Sequence, residues 1–217
     1  MKSFSLPDAM AFIRAHTRPI AVTGLEPVQL FQADELTPIW QATEADLEAR
    51  NVAPPFWAFA WAGGQGLARF LIDNPDVVRG KRVLDLAAGS GLVAIVAARQ
   101  GAARVAANDI DPLCEAALRL NAGLNDADVV WRGGDLTGLA DLDADVILAG
   151  DVFYEKPMAE RFEACLRRAR AAGADVYVGD PGRAYVPPGL TPCAVYDVAA
   201  SLDLENSPVK HVKVWTL

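Results

Sequence analysis

The residues with the strongest chemical character cluster at a glycine turn. In Val83-Leu84-Asp85-Leu86-Ala87-Ala88-Gly89-Ser90-Gly91-Leu92 an apolar strand breaks at glycines and restarts as a helix. Such a turn lets the backbone approach a ligand and aims helix N–H groups at it. Taken alone, Gly89-Ser90-Gly91-Leu92-Val93-Ala94 fits the dinucleotide pattern. Asp85 argues against that ligand, because a carboxylate at the strand end repels a pyrophosphate. A ligand bearing cations suits it better. S-adenosylmethionine has no phosphate and carries an α-ammonium and a sulfonium, and its carboxylate can take the helix N-terminus. The plain alternative is that Asp85 is a structural turn residue.

Two more acids follow at the ends of the next two strands. Asp109 stands 24 residues after Asp85, where a carboxylate accepts hydrogen bonds from ribose hydroxyls. Asp111 is assigned to capping the helix that follows. Asp135, in Gly133-Gly134-Asp135-Leu136, either meets an adenine amino group or serves as a turn residue. Open α/β sheets bind ligands along this carboxyl edge. The cofactor set is therefore Trp61, Asp85, Gly89, Gly91, Asp109, Asp135 and Gly150.

The fourth strand delivers Gly150-Asp151-Val152-Phe153-Tyr154 beside the first. Methyl transfer is an in-line displacement that needs its nucleophile held and aimed. Asp151 can orient an amine, and Tyr154 and Phe153 can wall its alkyl chain and hold a cation over a ring. Asp151 and Tyr154 are the candidate catalytic residues; otherwise the segment is a strand-end cap with core aromatics. An Asn/Asp-Pro-Pro-aromatic tetrad, expected for a nucleic-acid amine enzyme, is absent here. Trp57 and Trp61 either cover the site or belong to the core. Arg183 either contacts substrate or is solvated. Lys156, Arg161, Arg167, Arg168 and Arg170 read as a solvated helix face.

The elements that must position these residues alternate. Strands are expected at 81–86, 103–109, 128–132, 144–150 and 174–179. Helices are expected from the glycine turn, at 112–124 and at 157–171. Such alternation predicts a doubly wound, mostly parallel sheet. Runs 192–198 and 209–216 are joined too closely for a parallel crossover, so they predict an antiparallel hairpin at one edge. Upstream, 7–17 reads as helix, 27–43 as extended, 44–50 as a short helix, and 56–75 as a turn leading into a helix that ends before Pro75. Residues 1–52 are expected to be an extension packed on the core, and 53–217 the catalytic domain.

The chain has 217 residues, 52% of them hydrophobic, enough for one sizeable core. Its net charge of -8 disfavours a phosphate backbone as partner. Cys114, Cys165 and Cys193 are scattered and odd in number, as for reduced thiols. With His16 and His211 the only histidines, no metal site is expected. No apolar run reaches the length of a spanning helix.

Several segments together resemble one family. They are Pro55-Phe56-Trp57-Ala58 through Trp61-Ala62-Gly63-Gly64-Gln65, Val83 to Leu92, Ala107 to Pro112, Gly150 to Glu155, and Gly179-Asp180-Pro181-Gly182-Arg183. The chain thereby resembles the seven-strand lysine methyltransferases of the electron transfer flavoprotein β subunit over roughly residues 50–217. The resemblance implies S-adenosylmethionine as cofactor and S-adenosylhomocysteine as product. It ties Asp151 and Tyr154 to an acceptor lysine and the glycine turn and Asp109 to the cofactor. Ribosomal proteins are the other acceptors it suggests; a protein N-terminus or a small metabolite stays open. A cytoplasmic monomer is expected, without nucleic acid or membrane. Ala87 departs from the family, which has glycine there, and fits if its φ is negative.

Overall fold

The computed structural model describes residues 5–33, 55–200 and 207–217. The expected helix at 44–50, most of the 27–43 segment and the boundary near residue 52 lie outside them. Helix α1 (Leu6–His16) is followed by strands β1 (Arg18–Ala21) and β2 (Gln29–Gln32), which pair as an antiparallel ribbon. A 3-10 turn at Phe56–Ala58 leads into α2 (Ala62–Asp73). Then come β3 (Arg82–Leu86), α3 (Leu92–Arg99), β4 (Arg104–Asp109), α4 (Pro112–Leu124) and β5 (Val130–Gly133). The chain continues through β6 (Val146–Gly150), α5 (Lys156–Ala171), β7 (Asp175–Asp180), β8 (Thr191–Ala199) and β9 (Val209–Thr216).

The seven-stranded sheet runs β5-β4-β3-β6-β7-β9-β8. Neighbouring strands from β5 to β7 are parallel, and β9 is antiparallel to both β7 and β8. This is the α/β class I methyltransferase fold, with its C-terminal hairpin at the edge as expected. The winding direction reverses between β3 and β6. Their carboxyl ends therefore diverge from their connections and leave a crevice.

Side chains alternate across the sheet as the pleat requires. Val83, Val146 and Leu148 face the cluster that holds Leu67 and Leu71 of α2 and Ile95 of α3. Leu84, Leu86, Ile147 and Ala149 face the opposite cluster with Phe162 and Leu166 of α5. With both faces covered, β6 shows no polar alternation. Helix α1 packs on α4, where Ile13 joins Leu113, Ala117 and Leu120.

Strand β1 was not expected from sequence, because its four residues are mostly exposed and include Pro19. Its partner β2 is held from a distance. Asn121 Oδ1 accepts from the Phe31 amide at 2.7 Å, and Asn125 bonds both the amide and the carbonyl of Gln29. Asn121 Nδ2 also donates to Ser90 O at 2.8 Å, so the glycine turn and the N-terminal ribbon share one buried side chain.

Helix α2 approaches β6 and β7 almost backbone to backbone. A Cβ on Gly179 would lie 2.1 Å from Gly63 O, and one on Gly63 would lie 2.3 Å from Gly179 O. Both obstacles are main chain and cannot rotate away. Gly179→Ala is expected to lower stability by about 2 kcal/mol through overpacking, read as an earlier denaturant midpoint. An unchanged midpoint would mean that the α2 contact is looser than this geometry.

Candidate active site

A cavity of about 520 Å³ opens at the carboxyl ends of β3, β4, β5 and β6. Trp61, Asp85, Gly89, Asp109, Asp135, Gly150, Asp151 and Tyr154 all line it. Gly91 does not. Its φ is 80°, and a Cβ there would meet Leu118 Cδ1 at 2.4 Å, so it serves the turn and the packing of α4.

Asp85 is 1% exposed, and its Oδ2 accepts from the Ala94 amide at 2.9 Å. Ala94 is the third residue of α3, a helix whose own N-cap, Gly91, supplies no side chain. Asp85 therefore caps α3 from the neighbouring strand. Burial pushes its carboxyl up to about 7, despite that bond, with nearby Asp109 adding to the rise. A carboxyl so placed recovers its charge when a cation arrives.

Asp109 holds the turn. Its Oδ2 accepts from Gly89 N at 3.0 Å and its Oδ1 from Asp111 N at 3.1 Å. Asp111 caps α4 through Leu113 N at 2.9 Å, as assigned from sequence, and burial pushes its carboxyl up to about 6. Ala87 differs from expectation: its φ is +62°, in the left-handed region. The chain must reverse sharply there, with Ala88 N bonded to Asn108 O and Gly91 N to Ala88 O. An alanine in this conformation carries about 1–2 kcal/mol of strain.

Asp135 sits in a tight turn, with Oδ1 accepting from Thr137 N at 2.9 Å and Thr137 Oγ1 at 2.6 Å. Arg161 of α5 pairs with its other oxygen, and Arg168 donates to Thr137 O. These Thr137 bonds, with Arg161 beside them, lower the Asp135 carboxyl. The arginines of α5 are thus not simply a solvated face. Arg161 lines the cavity, and Arg170 bonds Asp175. Their spacing along the helix showed charge but not the loop that folds back over them.

Asp151 adopts φ +56° at the end of β6. Its Oδ2 accepts from Gly64 N at 3.1 Å, and Gly64 is the third residue of α2, whose N-cap Trp61 supplies no capping side chain. Its Oδ1 accepts from Arg183 Nη2 at 2.8 Å and Nε at 3.2 Å. Arg183 is therefore drawn into the cavity against Asp151 rather than solvated. The Asp151 side chain keeps 12% of its exposure.

Tyr154 lies at the mouth, 44% exposed, with burial of its ring and then Glu155 and Asp109 raising the phenol above its ordinary range. It is neutral at pH 7. Phe56 links it to Trp61, with ring centroids 5.7 Å apart on both sides. Trp61 Nε1 donates to Phe56 O at 2.8 Å. Trp57 is 1% exposed and belongs to the core. Phe153, 0% exposed, is core as well and does not line the cavity.

Sequence reasoning missed three site residues. Asn108 is buried and clamps the β5 end through Arg132 O and Gly134 O at 2.5 and 2.8 Å. Ile110 stands 73% exposed on the cavity rim. Gly64, which presents its amide to Asp151, was seen only as part of a helix start. The signals were a polar residue in an apolar strand, an apolar residue between two aspartates, and paired glycines opening a helix. Among the described residues no His, Cys, Asp or Glu cluster could hold a metal ion, and no helix is long and apolar enough to cross a membrane.

The raised Asp85 carboxyl links stability to pH. A folded value above the ordinary 3.8 means that the protonated form favours the fold. Its contribution is full at low pH and is lost as pH rises from about 4 to about 7. Asp85→Asn removes that titration while its amide oxygen still accepts from Ala94 N. The stability of Asp85→Asn relative to the parent is expected to climb across that window and then level, measured by chemical denaturation without ligand. A flat difference would mean that Asp85 titrates in the fold as it does in the unfolded chain.

Comparison with known proteins agrees with this geometry. Residues 70–152 match the family model described as ribosomal protein L11 methyltransferase (PrmA). The chain is 43% identical to the electron transfer flavoprotein beta subunit lysine methyltransferase of Xenopus laevis, over 75% of this chain and 69% of that protein. It is 35% identical to the Homo sapiens protein of the same name, over 98% of this chain and 83% of that one. Among solved structures, a magnesium protoporphyrin IX methyltransferase from Synechocystis PCC 6803 with bound SAH shares the fold. The TM-score is 0.53 at 12% identity, over 82% of this chain and 95% of that one. With strand-end acids, glycine turn and relatives in agreement, the chain belongs to the electron transfer flavoprotein beta subunit lysine methyltransferase family.

Proposed function

We propose that this chain transfers methyl groups from S-adenosylmethionine to lysine side chains of the electron transfer flavoprotein beta subunit. The observation that carries the reading is the pairing of a strand-end carboxylate with an exposed phenol at one cavity mouth. Asp151 and Tyr154 both line a cavity whose inner wall is acidic. That wall suits a cationic, phosphate-free cofactor. Asp85 is placed to meet an ammonium, Asp109 the ribose, and Asp135 with Ile110 the adenine end, while the Gly89 turn and Gly150 give main-chain approach. Trp61 closes the side wall.

When bound, the cofactor supplies an electrophilic methyl group. The protein's part is to admit a lysine, strip water from it and aim it. Tyr154 and Phe56 offer ring faces and edges along which an alkyl chain can slide. Asp151 accepts a hydrogen bond from the amine and so fixes its direction. No group on this chain needs to act as a general base, because the ammonium proton can leave to water before the attack. The neutral Tyr154 phenol fits that division.

The protein is expected to act in the cytoplasm as a monomer on a folded protein partner, apart from nucleic acid and membrane. Its net charge of -8 favours a basic docking face on that partner. The family-model match over 70–152 gives ribosomal protein lysines as the second acceptor to test.

The deciding experiment incubates the purified protein with labelled S-adenosylmethionine and recombinant electron transfer flavoprotein, then maps peptides by mass. Mass gains in steps of one methyl on beta-subunit lysines are expected. Label on ribosomal proteins of a lysate, with none on the flavoprotein, would replace the acceptor; label on no polypeptide would point to a metabolite. Asp151→Asn refines the site assignment. Its amide oxygen still accepts from Gly64 N, so α2 stays capped and S-adenosylhomocysteine binding is expected to hold. Its kcat/KM is expected to fall about 100-fold through loss of aim. Unaltered turnover would remove Asp151 from acceptor handling.

A further inference from the structure

Arg183 sits in the loop between β7 and β8, yet its side chain reaches back to line the cavity. The loop is anchored from below. Asp180 is fully buried, and its Oδ1 accepts from the amides of Gly182 and Arg183, both at 2.6 Å. The guanidinium then places Nη2 and Nε at 2.8 and 3.2 Å from one oxygen of Asp151. Side-chain exposure is 22% for Arg183 and 12% for Asp151, so the pair is partly withdrawn from water. This is a held contact at the place where the amine is to be aimed.

A lysine reaches the site as an ammonium with an ordinary pKa near about 10.4. Attack needs the nitrogen lone pair. One N–H bond must therefore break first, its electron pair staying on nitrogen and its proton going to water. The nitrogen then bonds the methyl carbon while the sulfur–carbon electron pair returns to sulfur. A carboxylate acting alone would resist the first step, because it stabilises the ammonium.

We propose that Arg183 is a positioning residue for methyl transfer that, by sharing Asp151, keeps the acceptor lysine from being locked as an ammonium. The proposal rests on the lysine reading above. Asp151 and Arg183 together carry no net charge, so Asp151 can orient the amine without the full pull of an unpaired anion. The Gly64 amide on the other oxygen weakens that pull further. Among the described residues the cavity also holds Asp85, Asp109, Asp111, Cys114, Asp135, Tyr154 and Arg161, with Glu155 beside Tyr154 and Asp180 anchoring the Arg183 loop opposite Lys213 in register. The turn of α2 that faces Asp151, Ala62 to Gln65, carries no charge. Among the described residues Arg183 is the cation bonded to Asp151.

The test is the pH dependence of the single-turnover methyl-transfer rate on recombinant flavoprotein. In the parent protein the rate is expected to level off well below the ordinary lysine pKa. Arg183→Gln is expected to move the midpoint of that rise up by about one pH unit. Arg183→Lys, which keeps the charge, is expected to hold the parent midpoint. A lower rate with an unmoved midpoint in Arg183→Gln would overturn the proposal and leave Arg183 a purely structural tie. A parent rate still climbing tenfold per pH unit at about pH 9.5 would overturn it as well, with no variant required. A second readout needs no turnover. ε-13C-lysine flavoprotein, bound with S-adenosylhomocysteine, is titrated by NMR in the parent and in both variants. The acceptor lysine is expected to titrate lower in the parent than in Arg183→Gln; equal values would overturn the proposal. A parent protein that labels no flavoprotein lysine at all removes the lysine reading first, before any variant is compared.

Discussion

Helices α2 and α3 start without a capping side chain of their own, and both are capped by aspartates on neighbouring strands. Asp85 at the end of β3 takes the third amide of α3, and Asp151 at the end of β6 takes the third amide of α2. A buried helix end with unmet N–H groups is costly, so these bonds are structural requirements. They also fix where two acids stand in the crevice. The same carboxylates that hold the helices against the sheet also line the cavity. Position of the site and integrity of the fold are thus one arrangement, which explains why the acids fall at strand ends and not on loops.

The close approach of α2 is what makes the second cap reachable. Gly63 and Gly179 let the helix start come down onto β7, and a Cβ on Gly150 would sit 3.0 Å from Gly64. Asp151 takes a left-handed conformation to point back at that helix, at about 1–2 kcal/mol for a residue with a Cβ. Ala87 does the same at the end of β3. Non-glycine residues in this region persist where the surroundings over-determine them, and both lie where the sheet meets the cavity.

Much of this was legible locally. The strand and helix periods, the glycine turn, and acids at the ends of β3, β4 and β6 are each set by a few consecutive residues. What the sequence concealed depends on partners far along the chain. Strand β1 is short, exposed and interrupted by proline, and the ribbon is held by Asn121 and Asn125 some ninety residues on. Arg161 read as surface charge, and Arg183 stood between substrate contact and solvation, because nothing beside them in sequence shows Asp135 or Asp151. Gly91 has the right type for cofactor contact, yet its geometry answers to Leu118. Asp85 was read as a ligand group or a turn residue, and Asp151 as an amine-orienting group or a strand-end cap; the structure gives each carboxylate a helix to hold.

The burial of Asp85 then acquires a reason. A carboxyl pushed up to about 7 is an unfavourable place for a charge, and one helix amide does not offset its loss of water. A hydrophobic residue at that position would pack without this cost but would leave the Ala94 amide unmet. An asparagine would meet the amide but bring no charge. Only a carboxylate both caps α3 and becomes fully favourable when a cation lies beside it. That cost bears on selectivity: a cation beside Asp85 would relieve it, whereas a pyrophosphate would deepen it. The acid that argued against a dinucleotide from its position alone does so more strongly once its burial is known, because low solvent access leaves either charge little screened.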